Sequence, residues 1–230
     1  MKNQKYHVEF DIDFKRNSHR GLFVVLEGIE ASGKTTQTER LGKKISEKLN
    51  VLLTKNPTDS YVGQFIRKSL LAGKVRMPPV AIQYLFGADR EIQQEEINEH
   101  LEKGEVVVSD RYFWSSVAYG IADKKEFDYE NSAELSLVAF SLLSMYHQFI
   151  LPDITIYLEV PVEEAMKRIT GSKKHTEIYD NEEMNVRVEK GYKWLIKKFP
   201  KEFIILDGTK SEETLETEIL KIINSKLKNK

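Results

Sequence analysis

"LFVVLEGIEASGKTT", residues 22–36, is the stretch on which the fold of this chain turns. Five apolar residues, 22–26, make the unbroken run expected of a strand buried on both faces. Behind them, residues 28–35 spell G-x-x-x-x-G-K-[ST], and the residues that follow carry helical spacing. A glycine-rich turn between strand and helix leaves unpaired backbone N–H groups on a concave path, which suits phosphate oxygens. Lys34 then supplies a charge for the β- and γ-phosphates, and the Thr35 hydroxyl a ligand for Mg²⁺. The stretch predicts a nucleoside triphosphate cradle made of Gly28, Ile29, Glu30, Ala31, Ser32, Gly33, Lys34, Thr35 and Thr36. Such a cradle does not name the reaction, because switches, motors and kinases share it.

Outward from that stretch, short apolar runs alternate with longer amphipathic ones. Further strands are expected at "VLLT" (51–54), "EVVVS" (105–109), "ITIYLEV" (154–160) and "FIILD" (203–207). Helices are expected over 34–49, 61–72, 79–103, 115–121, 132–149, 162–169, 182–199 and 211–226, with Pro78 and Pro79 opening the third and Gly104 closing it. This alternation predicts an α/β fold, a doubly wound five-stranded parallel sheet flanked by helices. In "YHVEFDIDF" (6–14), Tyr6, Val8, Phe10, Ile12 and Phe14 alternate with polar residues. That period of two suits an added, half-buried strand within an N-terminal extension over 1–20; a frayed polar extension is the alternative.

A chain of 230 residues has room for one sizeable core. Lysine plus arginine (35) nearly cancel aspartate plus glutamate (36), so no global charge draws it to nucleic acid or to an anionic membrane, and any anion must be met by local charge. The absence of cysteine excludes disulfides, thiolate metal sites and a cysteine nucleophile. No apolar run is long enough to span a bilayer and no signal-peptide core precedes residue 22, which predicts a cytoplasmic protein.

"VVVSDRY" places Asp110 and Arg111 at the end of a second apolar strand. An acid there can hold the Mg²⁺ shell or cap the next helix. The arginine's planar fork suits a second phosphate steered toward the first. Together with "FVVLEGIEASGKTTQ", "NPTDSYVGQFIR", "LFGADR", "SDRYFWSSVAY" and "PDITIYLEVPVEEAMKRI", the chain from Leu22 to its C-terminus resembles the thymidylate kinase (dTMP kinase) family. The resemblance implies one kinase domain of the P-loop type over 21–230, with a short LID at about 170–182. It further implies a homodimer that moves the γ-phosphoryl of ATP onto dTMP with Mg²⁺.

Carried onto this sequence, the resemblance has Phe86 stack on thymine and Arg90 hydrogen-bond the base, and their i, i+4 spacing independently puts both on one helix face. Read alone, Phe86 would be a core residue. Arg67 and Arg111 would clamp the monophosphate next to Pro57, and Ser115 and Ser116 would line the nucleotide site. Tyr119 would crowd the sugar C2 position and so select deoxyribose. Glu30 would touch the acceptor sugar or the magnesium shell, and Arg168 would pack on adenine.

The sequence departs from the family pattern at three places. Asn56 stands where an acid usually precedes the proline, and Gly120 stands where a base-contacting glutamine is expected. No arginine occurs among Ile29, Glu30, Ala31 and Ser32 or in "GSKKHTEIYDNEE", which leaves Lys173 and Lys174 as the nearest substitutes for the arginine that family members place there. An arginine finger is worth about 10³ to 10⁵ in rate, and lysine keeps its charge without its fork. Two alternatives stay open: a kinase for another deoxynucleotide or nucleoside, and a catalytically weakened nucleotide-binding protein.

Overall fold

Strand β2, Leu22–Glu27, is buried along its whole length because both of its faces are covered. In the computed structural model, which describes residues 7, 9, 11–123, 133–171 and 178–230, β2 is the middle of a five-stranded sheet. The other strands are β3 (Val51–Lys55), β4 (Val106–Asp110), β6 (Ile154–Glu159) and β7 (Ile204–Asp207), in the order β3-β4-β2-β6-β7, all parallel. All five were legible as apolar runs. The two edge strands, β3 and β7, are the ones left partly exposed.

Alternation along β2 splits the core in two. Leu22, Val24 and Leu26 face α1 (Lys34–Ile45) and α8 (Glu212–Lys228), packing with Leu41, Ile45, Leu215, Ile219 and Ile223. Phe23 and Val25 face the other way, into a larger cluster with α3 (Pro79–Glu102), α4 (Phe113–Ala122), α5 (Ala133–Met145) and α7 (Glu182–Lys198). Helix α6 (Val162–Gly171) follows β6. Burying each such side chain stabilises the fold by about 1.5–3 kcal/mol, so the two-sided strand is the strongest single determinant of this architecture.

Parallel strands align their carboxyl ends, and in open α/β sheets ligands bind in the crevice outside them. Here Leu26 is the register partner of Asp110, and Arg111 N–H donates to Leu26 O at 2.9 Å. The turn after β2 and the Asp-Arg pair after β4 therefore emerge side by side.

Two expectations are corrected. Tyr6, Val8 and Phe10 of the expected strand lie outside the described residues, and among the described residues of 6–14 there is no strand; the described part of the extension contributes β1, Lys15–Arg16, paired in parallel with β5, Ile150–Leu151. Of its described apolar residues, Ile12 and Phe14 pack on the larger core, with Phe14 stacked on Phe113 at 5.7 Å. The helix expected over 61–72 is α2 (Tyr61–Phe65), capped by Ser60, which then widens into a π-helical turn, Ile66–Leu71. Such turns recur at functional sites, and this one carries Arg67. Among the described residues no helix is long and apolar enough to cross a membrane.

Candidate active site

The turn between β2 and α1 requires glycine twice. Gly28 has φ 154°, and a Cβ there would meet Ser32 Oγ at 2.5 Å; Gly33, with φ 97°, begins α1 from the left-handed region. Lys34 folds back under the loop, donating through Nζ to Ile29 O at 2.7 Å and Ser32 Oγ at 3.2 Å. Burial, with the Arg111 charge beside it, pulls the Lys34 ammonium down to about 8, against the carboxylates of Glu30, Asp110 and Glu27. Thr35 Oγ1 donates to Asp110 Oδ2 at 2.5 Å, so the first turn of α1 and the end of β4 share one oxygen-rich point.

Arg111 follows at φ 73°, a left-handed conformation that costs a non-glycine residue about 1–2 kcal/mol. Its guanidinium offsets that cost: Nη1 donates to Gly28 O (3.0 Å) and Ser115 Oγ (3.1 Å), and Nη2 to Glu30 Oε1 (2.6 Å) and Tyr119 OH (3.2 Å). Tyr119 OH in turn donates to Glu30 Oε1 at 2.6 Å. Burial alone would raise the Glu30 carboxyl, but Arg111, Lys34 and the Tyr119 hydroxyl hold it down at about 2.

A single cavity of about 790 Å³ runs from this point in both directions. At one end Arg168 donates to Ala31 O and Gly208 O, closing a wall against the start of α8. At the other, α3 presents Phe86 and Arg90, with the Arg90 guanidinium 5.3 Å from the Phe86 ring and its Nη1 donating to Ser116 Oγ at 2.8 Å. Arg67, from the π-helical turn, is anchored by the carbonyls of Pro57 and Thr58 and by Asp59. Seven cationic side chains (Lys34, Lys55, Arg67, Arg90, Arg111, Arg168, Lys210) line the cavity against four carboxylates (Glu30, Asp110, Asp180, Glu212). A nearly neutral chain thus concentrates positive charge where an anion would sit.

Of the residues singled out from sequence, Glu30, Ala31, Ser32, Gly33, Lys34, Thr35, Thr36, Pro57, Arg67, Phe86, Arg90, Asp110, Arg111, Ser115, Ser116, Tyr119 and Arg168 all line this one cavity. Gly28 and Ile29 do not: Ile29 is fully buried in the core, and the pair shapes the loop from behind. Lys173 and Lys174 lie outside the described residues.

Three buried polar residues that hold the site together were missed. Glu27, at the end of β2, accepts from Tyr112 N–H (3.0 Å), Ser115 Oγ (2.6 Å) and Tyr192 OH (2.7 Å), which fixes Ser115 beside Arg111. Burial pushes the Glu27 carboxyl upward against those hydrogen bonds and the Arg111 charge. Asp89 accepts from Thr58 N–H and Ser60 Oγ at 2.8 Å each, folding the Pro57 loop; Gly63 fits there only as glycine, since a Cβ would lie 2.2 Å from Thr58 O. Asn185 of α7 accepts from Glu30 N–H at 3.2 Å. An acid closing an otherwise apolar strand was the one available signal, at Glu27.

A family model described as thymidylate kinase matches residues 26–219. The chain is 35% identical over 216 residues to a probable thymidylate kinase of Thermococcus gammatolerans, covering 90% of this chain and 98% of that one. It is 31% identical over 211 residues to a thymidylate kinase of Caldanaerobacter subterraneus, covering 91% and 98%. A solved thymidylate kinase from Candida albicans superposes with a TM-score of 0.76 at 26% identity, over 91% of this chain and 93% of that chain.

Proposed function

The chain belongs to the thymidylate kinase family, and from that premise we propose that it transfers the γ-phosphoryl group of ATP to dTMP, giving ADP and dTDP. It is an enzyme, a nucleoside monophosphate kinase. The observation that carries the reading is the single cavity in which Lys34, at the mouth of the glycine turn, Arg111, beside it at the junction of the two arms, and Arg67 share one space. Two anions held on those groups meet end to end between them.

ATP lies with its phosphates on the backbone of residues 28–36 and its base against Arg168. The dTMP phosphate is held by Arg67 and Arg111, its base by Phe86 and Arg90, and its sugar by Tyr119. A phosphate oxygen of dTMP, already ionised near neutral pH, attacks the γ-phosphorus in line, and the bond to the β-γ bridging oxygen breaks. No general base is required, so catalysis rests on positioning and on cations fixed in a water-poor site. The Glu30 carboxylate keeps the Arg111 fork aimed, and Glu27 does so through Ser115.

Among the described residues no group of three or more acids or histidines gathers as a metal cage. Mg²⁺ needs none: it takes one or two protein oxygens and completes its shell with water and phosphate. Thr35 and Asp110 are such a donor set, and bound Mg²⁺ neutralises charge on the ATP phosphates. Lys173 and Lys174 are the proposed LID cations of the transferring phosphoryl, and changing both to alanine should lower kcat strongly.

The reading extends to a cytoplasmic homodimer. Val80, Tyr84 and Ile92 are exposed at 59%, 63% and 52% and fall within about a third of the circumference of α3, an apolar stripe suited to a second copy. The experiment that tests the function is ADP release with and without dTMP across a panel of nucleoside monophosphates. ADP release that requires dTMP supports it; release independent of dTMP, or none, overturns it.

A further inference from the structure

Gln83 is a polar side chain of the cavity with no part in the mechanism above. Gln83 lies on α3 one turn before Phe86 and two before Arg90, and the i, i+3, i+7 spacing puts all three on one helix face. It lines the cavity, is only 7% exposed, and its Oε1 is buried with no hydrogen-bond partner. A buried carbonyl left unpaired costs about 1–3 kcal/mol, so such a group inside a binding cavity is a site prepared for a donor.

Across the cavity stands α4, whose Ser116 accepts from Arg90 Nη1 and whose next turn is Gly120. Position 120 has no room for a side chain. A Cβ there would lie 2.2 Å from Leu142 Cδ1 of α5, and the next group it would approach is Gln83 Nε2, at 3.6 Å. Leu142 and Gly120 therefore fit each other as knob and hole, and they leave the α4 wall without a hydrogen-bonding group at that level. The carboxamide of Gln83 reaches that level from the opposite helix.

We propose that Gln83 reads the thymine ring, its Oε1 accepting the N3–H and its Nε2 donating to an adjacent ring carbonyl, while Arg90 donates to the other. This rests on the dTMP reading above. The chemistry matches: thymine shows acceptor, donor, acceptor along that edge, and a carboxamide offers acceptor and donor side by side. With Gln83 on N3–H and O2 and Arg90 on O4, cytosine fits neither orientation of the amide, because its N3 and O2 are both acceptors, and Arg90, which carries donors only, would face its exocyclic amino group with like polarity. Gln83 and Arg90 together select the thymine edge, and Phe86 between them supplies the stacking face.

The test separates hydrogen bonding from packing. Gln83→Met keeps the length of the side chain and removes both polar atoms; KM for dTMP should rise about 10- to 100-fold with a smaller change in kcat, and KM for ATP should stay within about twofold. The second arm uses N3-methyl dTMP, whose methyl group replaces the donated hydrogen. The wild-type protein should discriminate against it about 100-fold or more, whereas Gln83→Ala, which opens space at that point, should turn over dTMP and N3-methyl dTMP within about fivefold of each other. Thermal melting of each variant shows that it is folded. A wild-type enzyme active on dTMP whose Gln83→Met variant keeps its KM for dTMP, or whose Gln83→Ala variant keeps the full penalty for N3-methylation, overturns the role of Gln83 alone. A wild-type protein inert toward dTMP overturns both this role and the dTMP reading.

Discussion

Arg111 Nη2 and Glu30 Oε1 meet at 2.6 Å where the two arms of the cavity join, with Tyr119 OH bonded to both. The pair links the loop after β2 to the strand end of β4 and sets the direction of the guanidinium. Lysine at 111 would keep the charge and lose the fork that reaches Gly28, Ser115, Tyr119 and Glu30 together. Arg111→Lys should lower kcat/KM for dTMP by about 10²- to 10³-fold. Steady-state kinetics check this, and a loss of only a few-fold would remove Arg111 from the acceptor clamp.

Glu30 contributes to stability through the same contact. Its folded carboxyl, at about 2, lies below the ordinary glutamate value of 4.5, so the contribution is fully present above about pH 5 and is lost as pH falls through about 2. The difference corresponds to about 3 kcal/mol. Glu30→Gln should be less stable than wild type by an amount of that order at pH 7, and the gap should close on acidification. Urea unfolding as a function of pH measures it; a gap independent of pH would show that the charge is not its source.

Lys34 titrates in the opposite sense. With its ammonium brought down to about 8, the free protein loses that charge as pH rises through 8, and kcat/KM for ATP should fall about tenfold per unit beyond it. For stability the sign is reversed: the unfolded lysine binds a proton more tightly, so between about pH 8 and the ordinary lysine range this group alone favours folding as pH rises. A pH profile of kcat/KM for ATP that stays flat to pH 9.5 would contradict the buried environment of Lys34.

Tyr119 stands against Tyr179 at 5.2 Å and is tied to Glu30, so its ring cannot swing aside easily. Tyr119→Ala should reduce the preference for dTMP over ribothymidine monophosphate by about tenfold or more, whereas Tyr119→Phe should keep it. Competition between the two nucleotides reads the ratio directly. An unchanged ratio in the alanine variant would assign sugar selection elsewhere.

Asp110 bonded to Thr35 is the proposed magnesium seat. Asp110→Asn should raise the Mg²⁺ concentration for half-maximal activity by about 10- to 100-fold, and chelation should abolish turnover in wild type and variant alike. A Mg²⁺ titration that does not shift would free Asp110 from that role.

The sheet was legible because each strand is a local apolar run, and β2 could be read without knowing its neighbours. The site was legible where short spacing carries geometry: residues 28–36 by their turn, Asp110 and Arg111 by their place at a strand end, Phe86 and Arg90 by one helical turn. Glu27, Asp89 and Asn185 were not, because their partners lie 85 residues away (Tyr112), 31 (Thr58) and 155 (Glu30), and nothing in the adjacent sequence states the pairing. Gln83 was hidden for a related reason: its meaning depends on the space Leu142 takes beside Gly120. The alternation over 6–14 misled because period two describes which side chains point inward, not whether a sheet edge is available to pair.

The pairing of Leu26 with Asp110 has an effect on how the protein matures. The residues that would hold ATP and its Mg²⁺ follow or end strands whose paired positions lie 84 apart in sequence, joined only once the central ladder has closed in its proper alignment. A slip of one residue would turn Asp110 and its neighbours to the other face of the sheet. Nucleotide affinity therefore requires the aligned central ladder, and a chain with a misaligned centre betrays itself by failing to be retained on an immobilised ATP analogue.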